Sequence, residues 1–207
     1  GQLAIRSEPG LLARSVDDLA LVLGALTGAE SGHPDAIGDV AGRSPHTLRI
    51  GYYADDGLFP PAPAVRRAVE EASRALADRG AIVEPFEPPD ADELHHLYFG
   101  LLSADAGRWL RRLLGGGAVD RRVRALIRVA GLPRAARALL VPIVRALGQR
   151  GLALVLESAG RRSAATYWEL VERCERYRDR FAASLKASRI DGILCPPHPL
   201  PAISHGA

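Results

Sequence analysis

The 207-residue sequence predicts an α/β protein in which short strands are flanked by helices and a mostly helical lobe is attached. Three observations predict it. Between Leu48 and Phe86 an apolar run, an amphipathic stretch and a second apolar run follow one another, the order of a crossover in a parallel sheet. From Asp90 to Arg189 apolar residues recur at helical spacing almost throughout. Ile190 to Cys195 is a third apolar run, entering the proline-rich loop PPHPLPAISHGA.

The first helix starts at Ser15, whose hydroxyl can cap the backbone amides of the first turn, with Asp18 completing an S-x-x-D box. Val16, Leu19, Ala20, Leu23 and Leu26 carry its apolar face, and Gly28 is its stop. Ala29 to His46, rich in Gly, Pro and Asp, reads as a loop. LRIGYY, Leu48 to Tyr53, is a buried strand; Pro60, Pro61 and Pro63 lead into a helix with Val65, Val69, Ala72 and Leu76 inward; Gly80 ends it before the strand AIVEPF, Ala81 to Phe86. Within the helical lobe, Gly115 to Gly117, Gly131 to Pro133 and Gly148 to Gly151 are breaks, and Pro142 is expected to divide the segment between the last two. The last helix is expected to start near Thr166, with Glu169 placed for a capping box. Its core face is Leu170, Cys174, Tyr177, Phe181 and Leu185.

Hydrophobic residues make up 47% and charged ones 25%, the balance of a globular protein with one substantial core. No apolar run reaches the ~18 residues that span a bilayer. Two cysteines, Cys174 and Cys195, make no disulfide framework, which points to a reducing, cytoplasmic setting. The sequence contains no methionine, so it reads as a piece of a longer polypeptide, and such a piece should leave a strand edge and an apolar face uncovered. A homodimer would be one way to cover them.

Charge is unevenly distributed. Residues 121–162 hold ten arginines and one acid, Glu157, or +9, so the rest of the chain sums to −6 against the net +3. On a helical wheel Arg134, Arg137 and Arg145 fall within ~80° of one another. Leu139, Leu140, Ile143, Val144 and Leu147 take the opposite side, Val141 alone being misplaced. Leu152, Leu154, Val155 and Leu156 add a second apolar patch. Arginines beside an apolar face suit a helix lying on an anionic membrane, although composition alone favours a helix packed on its domain with the arginines in water. Nucleic acid is not expected, because no aromatic residue interrupts the arginines of 121–162.

Other constellations carry less. Cys195, His198 and His205 match no common zinc spacing and have no evident fourth ligand, so no metal site is expected. His95 and His96 are adjacent on a helix, hence point apart, and read as surface residues. Gly42-Arg43-Ser44 lacks the second glycine of a nucleophile elbow, and Gly115 to Gly117 lacks the context of a phosphate loop.

In order along the chain, GQLAIRSEPGLLARSVDDLALVLGAL, LRIGYYADDGLFPPAPAVRRAVEEASRALADRGAIVEPF, LPRAARALLVPIVRAL, RRSAATYWELVERCERYRDRF and DGILCPPHPLPA resemble the amidase signature family, most closely its fatty acid amide hydrolase branch. The likeness covers nearly all of the chain, with 28–45 and 115–121 matching poorly. The family's first loop usually has Gly-Pro before a small apolar pair, where this chain has Pro9-Gly10-Leu11-Leu12.

The resemblance implies an α/β amidase domain over 1–207, with the lobe 90–189 inside it and a membrane cap at 134–156. It implies hydrolysis of a lipophilic amide, foremost a fatty acid amide, to acid and amine through an acyl-serine, without metal or cofactor. The family uses a lysine, a bridging serine and a nucleophilic serine in a Gly-Gly-Ser-Ser-Gly-like stretch. No Gly-Gly-Ser occurs here and the one lysine is Lys186, late in the last helix, so no catalytic residue is assigned. By position, Leu102, Ser103, Leu126, Val129 and Val155 would line the acyl channel, Ser103 standing where mammalian members carry a bulky aromatic. Membrane contact would fall to Arg134, Arg137, Leu139, Leu140, Ile143, Val144, Arg145 and Leu147. A general amidase, the amidase-type chain of a glutamine-dependent amidotransferase and a non-catalytic membrane-binding module are the other readings.

Overall fold

A computed structural model of the chain describes residues 4–5, 10–26, 44–115, 117 and 119–202, the side chains of Arg122 and Leu126 excepted. Helix α1, Val16–Leu26, begins as the sequence predicts, with the Asp18 amide donating to Ser15 Oγ at 3.1 Å. None of its residues is buried, and Val16, Leu21 and Leu26 are exposed. The loop expected from Ala29 falls outside the described residues as far as position 43. A single 3-10 turn, Pro45–Thr47, then enters the first strand.

Strands β1 (Arg49–Tyr52), β2 (Ile82–Pro85) and β3 (Gly192–Leu194) form one parallel sheet in the order β2-β1-β3. Ile50 of β1 is level with Val83 on one side and Gly192 on the other. Helix α2, Pro63–Asp78, makes the β1–β2 crossover, with Pro63 at its first turn and Val69 buried. Gly51, in the middle strand, is where the sheet is most closely covered. A Cβ there would lie 2.7 Å from Ile190 Cδ1 and 2.8 Å from Phe86 Cβ, so only glycine leaves room for both.

The lobe consists of α3 (Ala91–Leu102), α4 (Arg108–Leu114), α5 (Arg121–Gly131), α6 (Arg134–Ala146), α7 (Arg150–Ser158) and α8 (Ala164–Ala187). Helix α7 packs on both α6 and α3, and α3 on α8. The core of the lobe is Leu97, Leu101, Leu170 and Tyr177, with Cys174 and Phe181 partly buried against it, so four of the five residues expected on the inner face of α8 are there. Glu93 of α3 holds both Arg173 and Arg180 of α8, and the Tyr177 hydroxyl donates to Pro89 O at 2.7 Å. These contacts lock the first and last helices of the lobe together.

Three expectations about helix ends are corrected. Helix α8 is capped by Ser163, whose Oγ accepts from the Thr166 amide at 3.1 Å, so it starts three residues early and Glu169 lies beyond the capping position. Pro142 does not divide α6, which continues through it to Ala146 because packing on α7 outweighs the one hydrogen bond a proline removes. The break after α6 is confined to 147–149; Gly151 lies inside α7, buried, where a Cβ would come within 2.5 Å of the Phe59 ring. Ser103 to Gly107, between α3 and α4, is a further break.

Candidate functional site

Helix α6 exposes most of the residues assigned to membrane contact but covers one of its arginines. Leu139 is 71% exposed, Ile143 57% and Leu147 72%, and Leu140 and Leu152 of α7 are exposed too. Arg134 and Arg145 are exposed as well, Arg145 pairing with Glu157 at 2.6 Å. Arg137, by contrast, is only 8% exposed. Its Nη1 donates to Leu156 O at 3.3 Å, so it cannot join a basic membrane face, and that assignment is corrected. The helix packs with Arg137 and the half-buried Val141 and Val144, leaving its largest side chains outward. Val141 is therefore correctly placed for packing, and Val144 belongs more to that side than to the exposed ridge.

Burial lowers the Arg137 pKa, and the charges of Arg162 and Arg134 lower it further. Its Nε has no hydrogen-bond partner among the described residues, nor has that of Arg162. Gly160 makes the space: a Cβ there would sit 2.4 Å from Arg137 Nη2.

Of the five channel positions, Leu102 closes α3 and is exposed, and Val129 and Val155 are half-buried. Leu126 falls in α5 with its side chain outside the described set. Ser103 is buried, donating from Oγ to Phe99 O at 2.6 Å and accepting from Gly160 N at 2.9 Å. That hydroxyl ties the end of α3 to the end of α7. None of the four whose side chains are described lines either of two open cavities, of about 560 and 520 Å3.

The histidine pair is not on the surface. His95 and His96 do point apart, but each finds a polar partner in a half-buried setting. His95 Nε2 lies 2.9 Å from Asp56 Oδ2, with Phe59 edge-on and Phe99 stacked on the ring. Burial pushes the Asp56 carboxyl up, but the Phe59 amide, His95 and the Leu58 amide outweigh it and hold it below its ordinary value. His96 Nδ1 lies 2.9 Å from Ser158 Oγ, and burial, then Arg173 and Arg162, lower its pKa. This serine–histidine contact is not a nucleophile and base: Ser158 is fully buried and donates to Leu154 O at 2.7 Å.

No cluster of three His, Cys, Asp or Glu residues that could hold a metal occurs among the described residues, and His205 lies outside them. Tyr53, half-buried beside Cys195, has its hydroxyl pKa raised by that burial and by the thiol.

The larger cavity is not anticipated by the sequence reading. It lies between α4 and the start of α8, and its walls include Arg108, Arg112, Arg161 and Arg162 with Trp109 and Trp168. Aromatic residues absent from the basic segment itself are supplied from before and after it in sequence. The available signal is Arg-Trp at 108–109 and Arg-Arg at 161–162, six residues before Trp168.

The amidase family matches over residues 1–207. The chain is 35% identical to fatty-acid amide hydrolase 1 of Sus scrofa over 203 residues, which is 95% of this chain and 35% of that protein. It is 31% identical to fatty acid amide hydrolase 1 of Caenorhabditis elegans over 76% of this chain and 27% of that one. With a glutamyl-tRNA(Gln) amidotransferase subunit of Chlorobium phaeobacteroides it shares 30% identity over 51% of this chain and 24% of that one. A solved fatty acid amide hydrolase superposes with a TM-score of 0.69 at 23% identity, over 98% of this chain and 32% of that structure. The chain spans about a third of the length of these fatty acid amide hydrolases.

Proposed function

Because this chain belongs to the amidase family, we propose that it supplies the acyl-binding and membrane-facing part of an enzyme that hydrolyses lipophilic amides. In this reading a fatty amide is cleaved to acid and amine: a serine attacks the carbonyl, the amine leaves with a proton, and water releases the acid from the acyl-serine. The nucleophile and its lysine would stand outside residues 1–207, and this part would hold the acyl chain near Leu102, Ser103, Leu126, Val129 and Val155.

The observation that carries the reading is the ridge on α6. A helix that covers an arginine and leaves Leu139, Ile143 and Leu147 outward is built to meet something apolar. A membrane surface fits, since the ridge is apolar and the exposed Arg134 stands on the same helix, where it would meet anionic headgroups. No described helix is long and apolar enough to cross a membrane, and the attachment proposed for α6 is by its outer face. The fatty-acid amide hydrolase match also spans 95% of the chain, against 51% for the amidotransferase, and that favours a lipid amide over glutamine.

The test is hydrolysis of a lauroyl p-nitroanilide and an acetyl p-nitroanilide by the whole protein. A kcat/KM at least tenfold higher for the lauroyl substrate supports the reading. Equal rates, or preference for the acetyl substrate, would indicate a general amidase. Residues 1–207 alone should turn over neither.

A further inference from the structure

We propose that the groove between α4 and the start of α8 binds the phosphate-bearing headgroup of an anionic membrane lipid, with Arg108, Arg112 and Arg161 on the anion and Trp109 and Trp168 on the glycerol and upper acyl carbons. This rests on the membrane-facing reading and deepens it by naming a lipid class and a place for it.

The groove holds about 560 Å3, room for a headgroup but not for a folded partner. Four arginine side chains reach it and one acid, Asp105, shares it. Asp105 is already committed: Oδ1 accepts from Gly107 N at 2.7 Å and Oδ2 from Trp109 N at 2.8 Å. Among the described residues no ion pair engages Arg108, Arg112 or Arg161. Arg162 donates to Ser158 O at 2.6 Å, yet its Nε stays buried without a partner among the described residues. Arg137, behind it, adds another positive charge with no acid paired to it among the described residues. The site is thus a concentration of planar donors with no acid paired to them among the described residues, and guanidinium groups match phosphate geometry.

The backbone holds the groove in shape. Arg162 N donates to Ala104 O at 2.9 Å, joining the α3–α4 turn to the lead-in of α8, and Ser163 caps the helix at the floor. A 24-residue helix directs its positive end there.

The occupant is amphipathic because the groove is. Trp168 is 67% exposed, and Trp109 and Leu113, one turn beyond it, are exposed too. An indole with its face in water beside arginines suits the boundary between headgroups and acyl chains. A polynucleotide would want a longer basic track with stacked bases, and this groove is short.

Trp109 and Trp168 are the two tryptophans in the 207 residues, so their emission reports on the groove. The experiment titrates the whole protein with dihexanoyl-phosphatidylglycerol below its micelle concentration, reading the part of the tryptophan emission lost in a W109F/W168F variant. Dihexanoyl-phosphatidylcholine, glycerol phosphate and a dT12 oligonucleotide are run beside it. Expected is a saturable blue shift with phosphatidylglycerol, at least tenfold weaker in R108Q/R112Q/R161Q, whose replaced side chains form no ion pair among the described residues, and unchanged in L139S/I143S/L147S. An equal response of the arginine variant overturns the proposal, as does a response to phosphatidylcholine of the same strength. Glycerol phosphate saturating as tightly would assign the groove to a soluble phosphate, and dT12 doing so would assign it to nucleic acid; either overturns it. Vesicle attachment is not needed for this titration, so loss of the α6 membrane reading and loss of the headgroup site register separately.

Discussion

Arg137 on α6 donates from Nη1 to the carbonyl of Leu156 on α7, 3.3 Å away, in a space that Gly160 keeps open. Among the described residues, a charged group is therefore buried with a neutral hydrogen-bond partner and no acid paired to it. Its contribution to the fold is the length of its stem more than its charge.

Arg137→Met should leave stability unchanged or raise it, since the thioether fills similar space without a buried charge. Arg137→Ala should lower it by about 1–3 kcal/mol through lost packing. Urea denaturation of the two variants compares them. Arg137→Met should also bind anionic vesicles as the parent does, whereas Arg134→Gln should bind less. Reduced binding by Arg137→Met would show that the guanidinium reaches the surface after all.

The α6 ridge leads to a salt test. Leu139, Ile143 and Leu147 each have roughly 1–2 kcal/mol to gain by leaving water. Their triple change to serine should abolish flotation with anionic vesicles at high ionic strength while changing the melting temperature little, because all three are exposed. Removing the arginines instead should matter mainly at low salt. Flotation of both variants like the parent at both salt levels would make α6 an ordinary surface helix.

His96 makes stability fall on acidification. Its pKa in the fold lies below the ordinary 6.5, so the folded protein holds fewer protons than the unfolded chain as pH drops through that value. The stability tied to neutral His96 is present above about pH 6.5 and is lost below it. His96→Asn, which can keep the contact to Ser158 without titrating, should flatten this part of a plot of melting temperature against pH.

Glycine positions give opposite signs. Gly51→Ala should cost about 1–3 kcal/mol, because the new methyl meets Ile190 and Phe86 within 2.8 Å across the middle strand. Gly131→Ala, at the end of α5 with nothing within 4 Å of the new Cβ, should be neutral or raise stability by up to about 1 kcal/mol. Thermal melts of the two single variants decide it.

Local signals are legible in the sequence. The Ser15 cap, all three strands and the α2 crossover come from spacing and punctuation that act within a few residues. The inner face of α8 is legible for the same reason, although its start is not, because Ser163 and Thr166 both suit a cap and only one can be first. What a helical wheel cannot supply is which of two faces meets a neighbour. On α6 the wheel groups Arg137 with the outer arginines and Val144 with the leucines, yet the packing face uses Arg137, Val141 and Val144. The histidine contacts and the arginine–tryptophan groove depend on residues 39 to 62 positions apart, or on two separate helices, and no window along the chain contains them.

The strand order β2-β1-β3 has a consequence for the time course of folding. The β1–β2 pair joins neighbours in the chain and can zip early through α2. The β1–β3 pair cannot: Arg49 N meets Asp191 Oδ2 across 142 positions, with the whole lobe between. Closing so long a loop is slow, and the lobe's own helices have to gather first. Until then one edge of β1 stands open, a template for any passing strand. Crowded synthesis should therefore penalise this protein through aggregation at that edge, and a chaperone bound over β1 until β3 arrives should raise its yield.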